Sequence, residues 1–380
     1  MKTVVEKAIK NAMANSAAES HSTKKSRSKS VGQKDEELMN LLEEARVNIK
    51  VIGVGGGGGN TIQRMTEIGI SGAETVCVNT DAQDLLKVKA DRKILIGKKL
   101  TRGLGSGSDP TVGEGAARES LEELQKILEK TDLVFITCGL GGGTGTGAAP
   151  IVAELGKSIK ALTVAVVTLP FTVEGRKRME NAMSGLEKLR QSVDTIIVIP
   201  NDKILEIAPD LPVNTAFKVA DEVLTNAVKG ITELVTRPGL INLDFADLKT
   251  ILSRGGAAMI GLGESSSEKA TDARALEAVE NALTSPLLDV EITNASKALV
   301  NVIGGSDMTL REAEMIVEAV SAKISPNAHI IWGALIDDKI PRNQIQAMVV
   351  VAGGRFPYLE DGIGIDKQGK PIDLGIEFAD

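Results

Sequence analysis

The stretch Cys138–Pro150 reads CGLGGGTGTGAAP, and it directly follows the apolar run DLVFIT at residues 132–137. Its central part, Gly141–Gly147, has the sequence GGGTGTG, which contains only glycine and threonine. Glycines let main-chain N–H groups turn toward an anion without an intervening side chain, and a helix that starts there adds its positive end. The stretch therefore predicts a buried strand, an anion-binding loop and a helix, in that order.

Two further glycine-rich segments follow apolar runs. They are GVGGGGGNT at residues 53–61 and RGLGSGSDP at residues 102–110. A tight turn explains any one such loop equally well. Three loops at the same edge of one sheet favour a site for phosphate groups, in which the hydroxyls of Thr144 and Thr146 are additional hydrogen-bond donors.

Six apolar segments alternate with stretches of helical periodicity, such as EGAARESLEELQKILEK at residues 114–130. Strands that are apolar on both faces and alternate with helices predict an α/β fold with a parallel, Rossmann-like sheet covered on both sides. Ligands of such sheets bind at the carboxyl ends of the strands. The segments are NIKVIGV (48–54), ETVCVN (74–79), RKILIG (92–97), DLVFIT (132–137), LTVAVVTL (162–169) and DTIIVI (194–199).

Composition excludes several functional classes. The chain has 380 residues and a net charge of −7, but residues 1–32 carry seven Lys/Arg against two Glu, so its body is acidic. An acidic body argues against binding along nucleic acid. No apolar run reaches about 18 residues and no secretion signal is visible, so we expect a cytoplasmic protein without a transmembrane segment. The two histidines leave no zinc-like cluster.

The identity of the phosphate ligand has two interpretations at this point. Gly53, Gly55 and Gly58 fit the pattern G-x-G-x-x-G, and Asp81 follows the next strand, as in an NAD(P)-dependent oxidoreductase. That interpretation leaves GGGTGTG unexplained. A Walker A lysine is absent from the glycine loops, so backbone dipoles and a Mg²⁺ ion would have to neutralise the phosphates. No residue is assigned as a metal ligand.

The second part of the chain has a different organisation. Apolar residues recur at intervals of three and four from Asn214 to Thr236, which predicts a long buried helix. After Ser253, strands and helices alternate in the manner of a smaller α+β domain, and Thr309 and Glu312 form a predicted capping box.

The motifs GVGGGGGN, GGGTGTG and NLDFADL (residues 242–248) together resemble FtsZ, the family of tubulin-related GTPases of prokaryotic cell division. The resemblance covers residues 34–354. The early helix DEELMNLLEEA at residues 35–45 and the short tail are more similar to archaeal members. It implies a tubulin/FtsZ-like fold in which a parallel-sheet GTPase domain, a long central helix and a smaller C-terminal α+β domain follow one another.

The resemblance also implies roles for individual residues. Glu174 and Arg178 match residues at the ribose and nearby phosphate, although a surface ion pair on one helix face is an alternative. Asn201 and Asp221 match the readers of guanine, and Phe217 matches the ring that packs on the base. The phosphate chain of GTP or GDP would be held by Gly56, Gly57, Gly58, Asn60, Gly142, Gly143, Thr144, Gly145 and Thr146. Further expected nucleotide-binding residues are Gly59, Asp81, Gly105 and Gly107.

Catalysis is implied for Asn242, Asp244 and Asp247. The predicted helix places this segment about thirty ångströms from its own guanine readers, and in FtsZ the acidic loop enters the nucleotide pocket of the next subunit. The protein would then be an assembly-dependent GTPase that forms head-to-tail filaments. A helix cap explains Asp244 and Asp247 equally simply, and a homologue that binds nucleotide without hydrolysing it is a further alternative.

The expected partners and the parts after residue 32 follow from the same resemblance, whereas the segment 1–32, which it does not cover, is expected to be disordered because of its Ser/Lys-rich composition. Partners would be other copies of the chain and membrane-anchoring division proteins, with the protein at the mid-cell division site.

Asp109 departs from the family pattern and would lie near phosphate or point to solvent, and IDLGIEFAD (372–380) is either a docking peptide or an edge strand. The expected parts are a disordered basic segment (1–32), the GTP-binding domain with its N-terminal helix (33–212), the central helix (213–236), the C-terminal α+β domain with the acidic loop (237–355) and a short tail (356–380).

Overall fold

The computed structural model describes residues 47–207, 209–210, 212–265, 271–288, 292–353, 363–365 and 371–373. The predicted basic segment 1–32 and the predicted helix 35–45 lie outside these ranges. From Val47 onward the chain forms one compact unit. Within the described ranges, no helix combines the length and the apolar character needed to cross a bilayer.

The first half of the described chain alternates strands and helices. All six predicted apolar segments form strands. The elements are β1 (Ile49–Val54), α1 (Gly55–Ile68), β2 (Ala73–Asn79), α2 (Ala82–Lys87), β3 (Arg92–Leu95), α3 (Pro110–Glu119), α4 (Leu121–Leu128), β4 (Leu133–Gly139), α5 (Thr144–Ser158), β5 (Leu162–Leu169), a 3-10 turn (Thr172–Glu174), α6 (Arg176–Ser192), β6 (Thr195–Pro200) and α7 (Asn201–Ile207).

The second half begins with the long helix α8 (Val213–Thr236). It is followed by α9 (Phe245–Leu252), β7 (Gly256–Glu264), α10 (Thr271–Leu283), 3-10 turns (Pro286–Leu288 and Ile292–Asn294), β8 (Lys297–Gly304), α11 (Leu310–Ser321), β9 (His329–Ile336), β10 (Ile345–Ala352), β11 (Ile363–Ile365) and β12 (Pro371–Asp373).

The main sheet has the strand order β3-β2-β1-β4-β5-β6-β7-β10-β8-β9. Strands β1 to β6 pair in parallel, as predicted, whereas β10 is antiparallel to both β7 and β8. Residues 195–197 of β6 pair with residues 256–258 of β7, so one sheet runs continuously from the predicted GTP-binding part into the predicted C-terminal part. Of the tail segment 372–380, the described residues belong to β12, which pairs with β11 in a separate ribbon.

Helices cover both faces of the parallel part of the sheet because its strands are apolar on both sides. In β4, Leu133 and Phe135 belong to the core that α1, α8 and α9 cover, whereas Val134 and Ile136 belong to the core that α3 to α6 cover. A third core lies under α10 and α11. The sheet is therefore a rigid central layer, and its loops emerge at defined edges.

The helix α8 has 24 residues, which corresponds to about 36 Å at about 1.5 Å per residue. Its predicted apolar face is buried, for example at Leu224, Val228 and Ile231. In α11 the Thr309 hydroxyl accepts a hydrogen bond from the Glu312 N–H, and the Glu312 carboxylate accepts one from the Thr309 N–H. The predicted capping box is confirmed.

Candidate functional site

The site lies where the order of the strands reverses. Strand β1 lies between β2 and β4, and the chain continues from β1 into α1 on one face of the sheet and from β4 into α5 on the other face. Two loops that diverge in this way leave a crevice at the carboxyl edge, which is the usual ligand site of open parallel sheets. The first glycine loop and the GGGTGTG loop are the two that border it.

The N-termini of α1 and α5 meet at this crevice. A Cβ atom on Gly55, which has a φ of +74°, would lie 2.9 Å from the Gly145 nitrogen, so the two main chains are in direct contact. Neither helix has a side-chain cap at its N-terminus. The free N–H groups and the positive dipole ends of two helices thus converge on one region, which favours an anion.

The glycines of the two loops fall into two groups. A Cβ on Gly58 would lie 2.5 Å from the Thr137 carbonyl oxygen, and one on Gly145 would lie 2.8 Å from the Gly139 carbonyl oxygen. These glycines, with Gly59 and Gly143, are buried and allow the loops and helix starts to pack closely against neighbouring segments. The members that reach solvent are Gly56, Gly57, Asn60 and, in part, Gly142. A Cβ on Gly142 would meet nothing within 4 Å.

The third glycine loop packs against the second. A Cβ on Gly143 would lie 2.7 Å from the Asp109 carbonyl oxygen, and Gly105 and Gly107 have φ values of +84° and +60° that favour glycine. Asp109 is the N-cap of α3, where its Oδ1 accepts hydrogen bonds from the Thr111 N–H at 2.8 Å and from the Thr111 hydroxyl at 2.7 Å. These bonds hold the pKa of Asp109 below its ordinary value. Its carboxylate serves the helix start, which accounts for the departure noted in the sequence.

Asp81 has a similar local role beside the second strand. Its Oδ1 accepts hydrogen bonds from the N–H groups of Gln83 at 2.9 Å and Asp84 at 3.0 Å, so it caps α2. The other carboxylate oxygen lies 3.8 Å from the position of a Cβ on Gly105. Asp81 therefore lies beside the third glycine loop, with one oxygen engaged in the cap.

The two threonines of GGGTGTG have different surroundings. The Thr146 hydroxyl accepts a hydrogen bond from the Gly141 N–H at 2.9 Å and is buried, so it holds the loop closed. The Thr144 hydroxyl contacts the hydroxyls of Thr80 at 2.6 Å and Ser106 at 3.0 Å. Of the two, Thr144 lies among the converging loops.

Glu174 and Arg178 form an ion pair with 2.6 Å between Oε2 and Nη1. The expectation that both lie on one helix is wrong. Glu174 ends a 3-10 turn, Arg178 lies in the first turn of α6, and Gly175 with a φ of +101° separates them. Glu174 is further held because its Oε1 accepts a hydrogen bond from the Phe171 N–H at 2.8 Å.

The matched guanine readers lie at the start of α7 and in the first turns of α8. Asn201 is buried, and its Oδ1 has no hydrogen-bond partner among the described residues. Burial raises the pKa of Asp221 to about 7, although a hydrogen bond with the Thr61 hydroxyl lowers it in part. An orphaned amide oxygen and a partly buried carboxylate are both groups that a polar ligand edge would satisfy.

Phe217 lies beside these groups and is 38% exposed. Its ring contacts Phe171 edge to face, with 5.0 Å between the ring centroids. From periodicity alone it would be a core residue. The exposed ring fits a platform for a base better than a member of the core.

The acidic loop lies beyond the other end of α8. Asp244 caps α9 because its Oδ1 accepts a hydrogen bond from the Asp247 N–H at 2.8 Å, and Asn242 Oδ1 accepts one from the Gly239 N–H at 2.6 Å. All three predicted catalytic side chains are exposed. The structure does not bring them together with the glycine loops, which α8 separates from them.

Four residues of the site were not predicted from the sequence. Thr61, Thr80, Ser106 and Phe171 become relevant only through contacts with Asp221, Thr144 and Phe217. Ser106 stands within a glycine-rich loop, which is a usable signal. Thr61 likewise ends the glycine-rich segment 53–61, whereas Thr80 and Phe171 lie just after predicted strands and carry no signal of their own.

Comparisons with known proteins agree with this architecture. Residues 48–209 match the family model described as "Tubulin/FtsZ family, GTPase domain", and residues 256–355 match "FtsZ family, C-terminal domain". The chain is 56% identical to cell division protein FtsZ 1 of Thermococcus kodakarensis, with 90% of this chain and 92% of that protein covered. It is 53% identical to cell division protein FtsZ 1 of Archaeoglobus fulgidus, over 100% of this chain and 99% of that protein.

A solved structure gives the same result. The chain superposes on a structure described as an empty FtsZ dimer from M. jannaschii with a TM-score of 0.81 and 55% sequence identity, covering 88% of this chain and 94% of that chain. Sequence family, fold and full-length similarity point to the same group. The chain belongs to the FtsZ family of tubulin-related cell-division GTPases.

Proposed function

We propose that this GTPase binds guanine nucleotide at the carboxyl edge of β1 to β6 and hydrolyses GTP between two subunits arranged head to tail. One observation carries the proposal. The glycine loops and the exposed acidic loop lie toward opposite ends of the 24-residue helix α8. A subunit can therefore offer nucleotide at one end and Asp244 and Asp247 at the other, and only a neighbour completes the site.

Family membership settles the wider alternatives. A nicotinamide-dependent oxidoreductase is not retained, because the chain belongs to a GTPase family over most of its length. A homologue that does not hydrolyse nucleotide is not retained for the same reason. What remains to be tested is the assignment of each residue and the sharing of the site.

In the proposed site the phosphate chain lies on the N-termini of α1 and α5. Gly56, Gly57, Asn60 and Gly142 would face it through the main chain, because they are the loop members that reach solvent. Main-chain N–H groups that point inward before the ligand arrives cost no reorganisation on binding. The buried glycines, including Gly58, Gly59, Gly143 and Gly145, would hold the loops in that shape.

The base would lie between Phe217 and the polar groups of Asn201 and Asp221. A carboxylate accepts hydrogen bonds from guanine N1 and N2, whereas adenine presents a different pattern at the same edge. The orphaned Asn201 Oδ1 supports a ligand here, since buried polar atoms are normally paired. Glu174 and Arg178, already fixed in an ion pair, would contact the sugar and nearby phosphate.

Hydrolysis would use the acidic loop of the adjoining subunit. The Asp244 carboxylate is partly engaged as the cap of α9. Asp247 forms no side-chain hydrogen bond within the described part of the chain, so its carboxylate is available to orient or polarise a water molecule. Asn242 would position that water through its amide group, while its Oδ1 stays bonded to Gly239.

A Mg²⁺ ion fits this site as a partner of the phosphates. The described residues contain no cluster of three His, Cys, Asp or Glu side chains that could hold a metal. Mg²⁺ usually keeps several waters and takes one or two carboxylates together with phosphate oxygens. Asp81 and Asp84 beside the glycine loops are the carboxylates that could serve. When bound, the ion would neutralise charge on the phosphate chain.

Assembly into filaments, anchoring to the membrane through partner proteins and a mid-cell location are the cellular part of the proposal. Self-association is supported by the M. jannaschii FtsZ structure, which is described as a dimer. A contact between unlike ends that does not close on itself generates a filament. Mid-cell location and anchoring partners are expected for a member of a cell-division family.

The test is the GTPase rate measured against protein concentration, with ATP as the control nucleotide. A shared site predicts that the rate per molecule rises steeply with concentration and approaches zero on dilution. A rate per molecule that stays constant down to concentrations at which no assembly is detected would refute the shared site. Phosphate release from ATP at the same rate would instead refute the guanine assignment.

A further inference from the structure

Three hydroxyl groups form a chain among the loops of the site. The Thr80 Oγ1 lies 2.6 Å from the Thr144 Oγ1, which lies 3.0 Å from the Ser106 Oγ. Thr80 follows β2, Ser106 follows β3 and Thr144 is the first residue of α5. The chain therefore connects three segments that end at the same edge of the sheet.

The main chain fixes Thr80 before any ligand binds. Its N–H donates to the Asn79 Oδ1 at 2.8 Å. Its carbonyl oxygen accepts from the Gly105 N–H at 3.2 Å, and the Thr101 hydroxyl oxygen lies 3.3 Å from it. Thr80 is completely buried. Its hydroxyl is thus held in place by groups that belong to the sheet edge and to the third glycine loop.

The number of hydroxyl protons determines the direction of hydrogen-bond donation along Thr80, Thr144 and Ser106. A threonine hydroxyl has one proton to donate. The only hydrogen bond of the Thr80 hydroxyl within the described part of the chain is to Thr144, and a buried O–H without an acceptor is costly. Thr80 therefore donates to Thr144. The Thr144 proton must then point elsewhere, either to Ser106, whose own proton is then free, or directly toward the crevice.

In both arrangements the row of three hydroxyl groups ends in an O–H donor on the side away from Thr80. The opposite direction would present an oxygen lone pair there, which repels a phosphate oxygen. From this we infer that Thr80 is a positioning residue for the phosphate chain of the bound nucleotide. It does not touch the ligand, and it acts by fixing the direction in which Thr144 and Ser106 donate. This inference rests on the proposed nucleotide site.

The primary variant is Thr80→Val, which keeps the shape of the side chain and removes the hydroxyl. We expect Thr80→Val to weaken GDP binding about tenfold, the size expected for one hydrogen bond to a charged group. Guanosine, which lacks phosphates, should bind within about twofold of the wild-type value, on the reasoning that the base contacts are elsewhere. Thr80→Ser retains the donor and should restore GDP binding. The measurements are calorimetry for GDP and competition for guanosine.

A double-mutant cycle tests whether Thr80 acts through Thr144. In a Thr144→Val background, Thr80→Val should cause no further loss of GDP affinity, because the group that it orients is gone. Thr131→Val is the matched control. Thr131 is another buried threonine, its hydroxyl has no partner among the described residues, and it lies before the amino end of β4, at the edge opposite the site. GDP should bind this control as tightly as it binds the wild type.

Several results would overturn the inference. The first is a GDP affinity of Thr80→Val equal to that of the wild type. The second is a loss of guanosine affinity in Thr80→Val as large as its loss of GDP affinity. The third is a loss of GDP affinity from Thr80→Val that is as large in the Thr144→Val background as in the wild type. If Thr80→Val does not fold, Thr80→Ala replaces it, since alanine also lacks the hydroxyl, and unchanged GDP binding there is equally negative. A wild-type protein that binds no GDP would refute the proposed function instead, so the two failures are distinguishable.

Discussion

The ring of Phe217 in α8 lies edge to face against the ring of Phe171, with 5.0 Å between the centroids and 86° between the planes. Phe171 is 3% exposed, whereas Phe217 is 38% exposed. A buried ring thus fixes the orientation of an exposed one. An oriented, exposed aromatic ring is a ready platform for a nucleobase.

Replacement of Phe217 by alanine should weaken GDP binding by about tenfold to a hundredfold, because stacking of a base on an aromatic ring contributes about 1–3 kcal/mol. Stability should change little, since part of the ring is already in contact with water. Calorimetric titration with GDP measures the first effect and thermal unfolding the second. Leu310→Ala is a control for loss of an exposed apolar side chain, because Leu310 is 52% exposed and lies at the start of α11. Unchanged GDP affinity in Phe217→Ala would exclude the platform.

The proposed role of Asp221 predicts that nucleotide binding depends on pH. Burial raises the pKa of Asp221 to about 7 in the free protein, and the proposed contact with guanine requires the ionised form as an acceptor. GDP affinity should therefore fall as the pH drops below about 7, by up to tenfold per pH unit. The stability of the free protein depends on pH in the opposite direction, because burial disfavours the charged carboxylate in the folded state. The contribution of Asp221 to the free energy of unfolding is therefore present at low pH and is lost as the pH rises through about 7.

Asp221→Asn separates this effect from the titration of the nucleotide phosphates. The asparagine variant should bind GDP weakly, and the dependence of its affinity on pH should be only that of the phosphates. Calorimetry from pH 5.5 to 8.5 on both proteins provides the comparison. A wild-type profile that runs parallel to the Asp221→Asn profile would contradict a role for this carboxylate.

Much of this site could be predicted from the sequence, for a physical reason. The glycine loops are local patterns, and parallel strands place their carboxyl ends at one edge, so motif and topology together predict where the proposed phosphate site lies. The distinction between glycines that pack and glycines that face solvent could not be predicted. Gly58 and Gly142 both lie in runs of glycine. They differ only in their surroundings in the fold, because a Cβ on Gly58 would meet the neighbouring strand whereas a Cβ on Gly142 would meet nothing within 4 Å. The break at Gly175 was missed in the same way, since spacing alone cannot reveal a positive φ.

The two groups of glycines make opposite predictions. Gly142→Ala should leave the fold intact, because a Cβ at this position meets nothing within 4 Å, but its methyl group should reduce GDP affinity by intruding on the phosphate space. Gly145→Ala should destabilise the protein by about 1–3 kcal/mol through overpacking against the Gly139 carbonyl oxygen. Urea unfolding and GDP titration of both variants provide the comparison. Equal losses of stability in the two variants would show that Gly142 is also a packing residue.

Sharing of the active site predicts complementation between two inactive variants. Asp247→Asn should bind GTP and assemble but hydrolyse it poorly, since it lacks the acid that it offers to its neighbour. Gly142→Ala keeps Asp247 but has little bound nucleotide when the GTP concentration is well below its dissociation constant. Mixed in equal amounts, they should hydrolyse GTP faster than the sum of the two alone, because some junctions pair an intact pocket with an intact acidic loop. A rate that only adds would indicate a site within one subunit.

The cap at Asp244 allows its structural and chemical roles to be separated. Asparagine is as good an N-cap as aspartate, whereas alanine costs about 1 kcal/mol. Asp244→Asn should therefore keep the stability of the wild type and lose GTPase activity, while Asp244→Ala should lose both. Thermal unfolding and GTP turnover at a concentration that supports assembly measure the two properties. Full turnover by Asp244→Asn would show that Asp244 caps the helix and has no role in catalysis.

The buried ion pair between Arg274 in α10 and Glu312 in α11 should contribute to stability without affecting the nucleotide site. Arg274 is 1% exposed and Glu312 is fully buried, with 2.5 Å between Nε and Oε1, and Arg274 also contacts Asp307 at 2.6 Å. Arg274→Met leaves a buried carboxylate unpaired, so we expect a loss of about 3–5 kcal/mol in the free energy of unfolding. Adding Glu312→Gln should recover part of that loss, because it removes the unpaired charge. GDP affinity, measured in both variants under conditions where they stay folded, should equal that of the wild type. A GDP affinity that falls in step with stability would show that the third core and the nucleotide site are energetically coupled.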